Sequence, residues 1–211
     1  KGRSSSPPLN QRLRRVCAIT LAGDACADDG GLRLSGDGYA EVSMGGSYAE
    51  GGDFSLAFWL LKAPEDVWAP EGGAHSEVVF SHPIDEGSRD SGHAGVDIRL
   101  TRQAWLDAWT LSVQLDWRIQ RFTLDLLRDA TPKWTHVTIV VDETLVSVYE
   151  DGEELANHFV QTPNPGFRAA ASILSRSLTV GASLNGQGDA MLGFRDSLAM
   201  LQIYPTALST D

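Results

Sequence analysis

The chain has 211 residues, 42% of them hydrophobic, which is enough to bury one sizeable core, and all-β sandwiches of this length commonly form a single domain. Residues 1–16 carry Lys1, Arg3, Arg12, Arg14 and Arg15 and no acid, so within a net charge of −11 the remainder stands at about −16, which argues against nucleic acid or an anionic membrane as partner of the folded part. No stretch reaches the roughly 18 consecutive apolar residues of a membrane span, so no direct membrane insertion is expected, and 21 Gly with 9 Pro spread along the chain suit short strands and turns better than a helical bundle.

Residues 1–16 are rich in Ser, Pro and Arg and are expected to form a linker or tail, with one domain over 17–211. The chain begins without Met and without the apolar run of a signal peptide, so it is expected to be a piece of a longer protein. Cys17 and Cys26 are separated by ITLAGDA, a strand followed by a turn, which could bring them together. A Cys17–Cys26 disulfide would imply an oxidising, extracellular or lumenal compartment; the alternative is two buried thiols.

Gly31–Met44 shows two short alternating runs around Gly36-Asp37-Gly38 and predicts a hairpin with Leu32, Leu34, Tyr39 and Val42 in the core. Asp53–Lys62 places Phe54, Leu56, Phe58 and Leu60 on one face and Trp59 on the other, the two-sided apolarity of a central, covered strand. Ser76–Ser81 and Gly95–Thr101 are further strands. They flank the polar loop His82–Ala94; His75, His82 and His93, with Asp85, Glu86 and Asp90 nearby, lack the tight spacing of a zinc site. A short helix is the alternative over Arg102–Ala108. Ala108–Trp117 and Phe122–Leu127 are predicted as neighbouring strands. Lys133–Leu155 holds three alternating runs divided at Asp142-Glu143 and at Asp151-Gly152, which predicts a meander. Ser177–Gly181 and Ser197–Tyr204 complete about a dozen strands, as a two-sheet sandwich requires.

Four segments in this order, LRLSGDGYAEV, GDFSLAFWLLKAP, KWTHVTIVVDETLVSVYEDGEEL and FRDSLAMLQIYPTALS, resemble the concanavalin A-like lectin/glucanase superfamily, especially its laminin G-like and pentraxin-like branches, over roughly Gly31–Ser209. The resemblance implies an all-β, two-sheet antiparallel jelly-roll sandwich. It also implies a recognition module of a larger extracellular or membrane protein that binds glycan or protein surfaces, or else a domain that packs against neighbouring domains of the same parent. Phe194-Arg195-Asp196-Ser197 keeps the aspartate of the family's closing strand and lacks the glutamate that usually follows.

Glycoside hydrolases of this superfamily set two carboxylates on one sheet face with a Glu-x-Asp pattern; none occurs here, so no catalytic activity is expected. Relatives commonly hold calcium, and Asp37 and Asp196 are the candidate ligands, with Asp24, Asp28 and Asp29 as rivals. Trp59, Trp109 and Trp134 fall in core strands, and His136 resembles a framework position. Trp68, in APEDVWAP, and Trp117, between Asp116 and Arg118, are the candidate ligand-binding aromatics, because a sugar ring offers a C–H face to an exposed aromatic plane.

Overall fold

A computed structural model describes residues 18–28, 31–43, 54–62, 74–81, 96–103, 109–115, 118–124, 132–142, 145–160, 177–184, 189–204 and 206–209. Strands are numbered in chain order. Sheet A has eight strands in the order β1 (Ala18–Ala22), β4 (Tyr39–Ser43), β14 (Ser177–Val180), β6 (Ala74–Ser81), β7 (Val96–Gln103), β8 (Trp109–Leu115), β9 (Arg118–Leu124) and β13 (Asn157–Val160). Sheet B has seven, in the order β12 (Glu153–Glu154), β11 (Leu145–Glu150), β10 (Trp134–Asp142), β5 (Phe54–Leu61), β17 (Arg195–Tyr204), β3 (Gly31–Ser35) and β2 (Cys26–Asp28). β15 (Ser183–Leu184) and β16 (Ala190–Met191) form a small ribbon beside them. Both sheets are antiparallel, and no helix occurs among the described residues.

The alternation read from the sequence sets the core. Phe54, Leu56, Phe58 and Leu60 of β5 point inward from sheet B, joined by Val137, Ile139 and Val141 of β10. Opposite them, sheet A contributes Phe80, Ile98, Leu100, Trp109, Leu111, Val113 and Phe122, all at most 1% exposed. The Phe58 and Phe80 rings meet edge to face across the layer with centroids 4.9 Å apart, a preferred aromatic geometry. β5 lies between β10 and β17, so it is covered on both edges, as its composition requires. The meander is present as β10, β11 and β12. Its Asp151-Gly152 turn has φ of 50° and 90°, the left-handed pair that a two-residue hairpin of this twist needs.

Two expectations change. Gly31–Ser43 is not a hairpin: β3 pairs with β17 and β2 in sheet B, whereas β4 pairs with β1 and β14 in sheet A, so Gly36–Gly38 carries the chain from one sheet to the other. Close packing explains the glycines. A Cβ on Gly38 would stand 2.2 Å from the Ala25 amide nitrogen, and Gly36 has φ of 101°. Ala40 and Val42 are the inward residues of β4, and Tyr39 is only half-buried. Second, Arg102 and Gln103 continue β7 as strand; 104–108 lie outside the described residues.

Candidate functional site

Lys62 follows β5 in register and is the next inward position after Leu60, so its side chain enters the layer between the sheets, where it is 1% exposed. A buried ammonium requires compensation. Its Nζ lies 2.8 Å from Glu77 Oε2 and 3.1 Å from Asp196 Oδ2, and donates to the Arg195 carbonyl at 2.9 Å. The rings of Trp109 and Phe194 complete the enclosure, with centroids 5.1 and 5.3 Å from Nζ. Glu77 belongs to sheet A and Asp196 to sheet B, so the cluster ties the two sheets at one end. Asp196 holds φ of 117°, a strained position for a residue with a Cβ.

This geometry bears on the calcium candidates. At Asp196 the buried Lys62 ammonium lies 3.1 Å from Oδ2, so one carboxylate oxygen already faces a cation. Asp37 is exposed on the sheet-crossing turn. Asp24, nearby, accepts a hydrogen bond from Ser35 Oγ. Among the described residues no three His, Cys, Asp or Glu side chains come together as a metal site. Cys26 is an exposed free thiol on β2, and its expected partner Cys17 lies outside the described residues. Trp68, Trp117, Asp29, His82 and His93 lie outside them as well.

The outward faces of the two sheets differ in chemistry. On sheet A the strand register assembles polar side chains into transverse rows. One row runs Ser76, Thr101, Thr110 and Thr123 across β6, β7, β8 and β9, with the Ser76 and Thr101 hydroxyls 3.0 Å apart. The next places Arg99, Ser112 and Arg121 side by side on β7, β8 and β9. A third runs Thr20, Glu41, Thr179, Ser81, Asp97 and Gln114. Thr179, Ser81 and Asp97 point away from the core and yet are 1%, 5% and 9% exposed, so the middle of this face is sheltered. Asp97 grips Arg99 in a two-point contact, Nε to Oδ1 at 2.5 Å and Nη2 to Oδ2 at 2.7 Å. That hydrogen bonding lifts the Arg99 pKa above its ordinary value; partial burial opposes the shift and the carboxylate's attraction adds to it. The guanidinium is therefore charged and fixed in direction, and Asp97 occupies only two of its five N–H donors.

Sheet B presents aromatics instead. Trp59 and Trp134, placed by sequence in core strands, both face outward because each alternates with inward residues of β5 and β10. Trp134 is 37% exposed. His136 lies opposite Trp59 with ring centroids 5.1 Å apart, and its amide donates to Asp151 Oδ1 at 2.9 Å, which is the framework role expected of it. Trp109, by contrast, is fully buried as expected.

The architecture defines a two-sheet antiparallel jelly-roll sandwich. The sequence matches, over residues 34–211, a laminin G family of the concanavalin A-like lectin/glucanases superfamily, and the chain belongs to that family. β1, β2 and the start of β3 precede the matched region.

No curated protein matches the chain. Among solved structures it is similar to the receptor-binding domain of botulinum neurotoxin mosaic serotype C/D, with 14% identity and a TM-score of 0.59 over 92% of this chain and 44% of that one. It is similar to domain 4 of an extracellular arabinanase from Geobacillus stearothermophilus, solved in complex with arabinotriose, with 19% identity and a TM-score of 0.55 over 91% of this chain and 84% of that one. It is also similar to Trypanosoma rangeli sialidase in complex with 2,3-difluorosialic acid, with 16% identity and a TM-score of 0.53 over 93% of this chain and 28% of that one. The chain thus spans less than half the length of the toxin domain and of the sialidase. At these identities the likeness is one of fold.

Proposed function

We propose that this chain is a non-catalytic recognition module of a larger extracellular protein, and that it binds glycan on the outer face of sheet A. The observation that carries the reading is the polar lattice there: hydroxyls, an amide, a carboxylate and two guanidinium groups set in register on a rigid sheet, with a sheltered middle. Saccharides are recognised by such arrays of fixed donors and acceptors. The arabinanase domain solved with arabinotriose shares the fold, which makes the comparison apt without assigning its ligand here. Two carboxylates, Glu77 and Asp196, do converge, but on the Lys62 ammonium in the interior; a glycosidase pair must instead reach substrate.

A glycan-array screen of the full chain, with calcium and with a chelator, tests this reading. Gln114→Ala and Thr110→Val are expected to reduce the signal about tenfold or more while leaving the melting temperature unchanged, since each removes one hydrogen-bonding group from the lattice. Trp134→Ala, on the opposite sheet, is expected to change nothing. Trp117, which falls between β8 and β9 in the sequence, and Trp68 are the aromatic candidates to substitute in the same screen. Loss of binding in Trp134→Ala with retention in Gln114→Ala would transfer the site to sheet B.

The second reading, a domain that packs against neighbours in its parent, is favoured by the apolar surface of sheet B: Trp134 and Trp59 on the same outward face, with Met200 69% exposed on β17. It predicts no glycan binding at all, and Trp134 fluorescence that iodide quenches in the isolated chain and not in the longer parent.

A further inference from the structure

We infer that this chain pairs with a second copy of itself along β1, joining two A sheets across a two-fold axis. A sheet edge presents unpaired N–H and C=O groups, and proteins that stay single blunt such edges with short strands, charges or bulges. Among the described residues, three of the four sheet edges are blunted in these ways. β12 is two exposed glutamates, Glu153 and Glu154. β2 has three residues and ends on Asp28. β13 has four, with a break in register between Asn157 and Phe159. β1 carries none of these defences: its five residues, AITLA, hold no charge and no proline, and they keep unbroken register with β4.

Pattern, exposure and charge select the occupant of that edge. Ile19 and Leu21 stand opposite Val42 and Ala40, the inward residues of β4, yet they are 63% and 40% exposed. The run reads nearly the same in both directions about Thr20. An antiparallel copy centred there sets Ile19 against the partner's Leu21, and Leu21 against the partner's Ile19, at cross-strand contact distance, with Thr20 facing the partner's Thr20. A two-fold interface requires this kind of self-complementarity. Charge agrees. Within a chain of net −11 the strand itself is neutral, so like copies are not repelled at this edge. Arg12, Arg14 and Arg15 precede β1 in the sequence, and the exposed Asp24 follows it, beside the exposed Asp37 on whose carbonyl Gly23 packs. Antiparallel pairing brings the start of one β1 to the end of the other, so the basic approach to each strand falls at the acidic end of its partner. A ladder of five residues from each copy is about 17 Å long, too short to bury the roughly 1,200 Å² of a tight complex, so the dimer is a weak one.

Sedimentation equilibrium of the full chain between about 1 µM and 1 mM is the test. The average mass is expected to climb from that of one chain toward that of two and no further, since the two-fold uses up both β1 edges. Ile19→Lys alters two contacts at once by symmetry and, at an exposed position, is expected to weaken association at least about tenfold with the melting temperature unchanged. Ile19→Lys combined with Leu21→Glu sets opposite charges against each other across the axis and is expected to associate several-fold more tightly than either single variant, which a parallel or shifted register would not produce. A chain that stays single throughout the range, or an Ile19→Lys variant that associates like the parent, would overturn the pairing. Association lost in Trp134→Ala and kept in Ile19→Lys would overturn it as well, by moving the contact to sheet B. A double variant no better than the single ones would overturn the two-fold about Thr20.

Discussion

Lys62 shows how one side chain can set the terms for its surroundings. Its ammonium is nearly inaccessible to water, and two carboxylates, one carbonyl and two aromatic rings close around it. Removing one partner of such a cluster leaves an uncompensated buried charge, which is far costlier than removing the whole set. Lys62→Met is therefore expected to lower unfolding stability by about 3–5 kcal/mol in urea denaturation, because it takes from the buried Glu77 the ammonium that compensates it. Lys62→Met combined with Glu77→Gln and Asp196→Asn is expected to regain most of that loss. If the single variant unfolds within about 1 kcal/mol of the parent, the cluster is not held together by charge. The inward direction of Lys62 was legible, since it continues the alternation of Phe54, Leu56, Phe58 and Leu60. Its partners were not. Glu77 follows a regular alternation only up to the bulge between Val78 and Phe80, and nothing in the sequence around Asp196, ahead of the last strand, signals a lysine partner.

At the scale of elements, close backbone approach rather than hydrophobic pattern fixes the passage between the sheets. A Cβ on Gly193 would lie 1.7 Å from the Gly36 carbonyl oxygen, so the segment leading into β17 is pressed against the turn that leaves β3. Gly193→Ala must push these backbones apart and is expected to cost more than about 2 kcal/mol, read as a drop in melting temperature. Gly152→Ala is the matched comparison: its φ is 90° but nothing lies within 4 Å of the added Cβ, so its cost is backbone strain alone, about 1–2 kcal/mol. A Gly193→Ala variant as stable as Gly152→Ala would mean that the two segments separate freely. The strands with strong composition, β5, β8 and the β10–β12 meander, were legible because burial on one or both faces leaves an unambiguous alternation. The β3–β4 crossing was not, because alternating runs around Gly36-Asp37-Gly38 look alike whether the partners share a sheet or face each other across the core. Only contacts with β17 and β1, far away in sequence, separate the two cases.

For the whole molecule, the proposed site is a product of register. Arg99, Ser112 and Arg121 belong to three strands and come together only once β7, β8 and β9 pair. Sequence could show that each strand alternates, and even that β8 and β9 are neighbours, but not which polar residues stand abreast. Tryptophans and turn aspartates, by contrast, stand out in a sequence because their residue types carry the signal by themselves. Net charge sets the response of the whole molecule to salt. With a net charge of −11, self-repulsion opposes the folded state, and screening relieves it, since added salt shortens the Debye length from about 30 Å at 0.01 M to about 8 Å at 0.15 M. The Lys62 cluster is buried and escapes that screening. The melting temperature is thus expected to rise by a few degrees between about 0.01 and 0.15 M sodium chloride. Differential scanning fluorimetry over that range of salt measures it. A melting temperature that falls with salt would show that surface ion pairs outweigh the net repulsion.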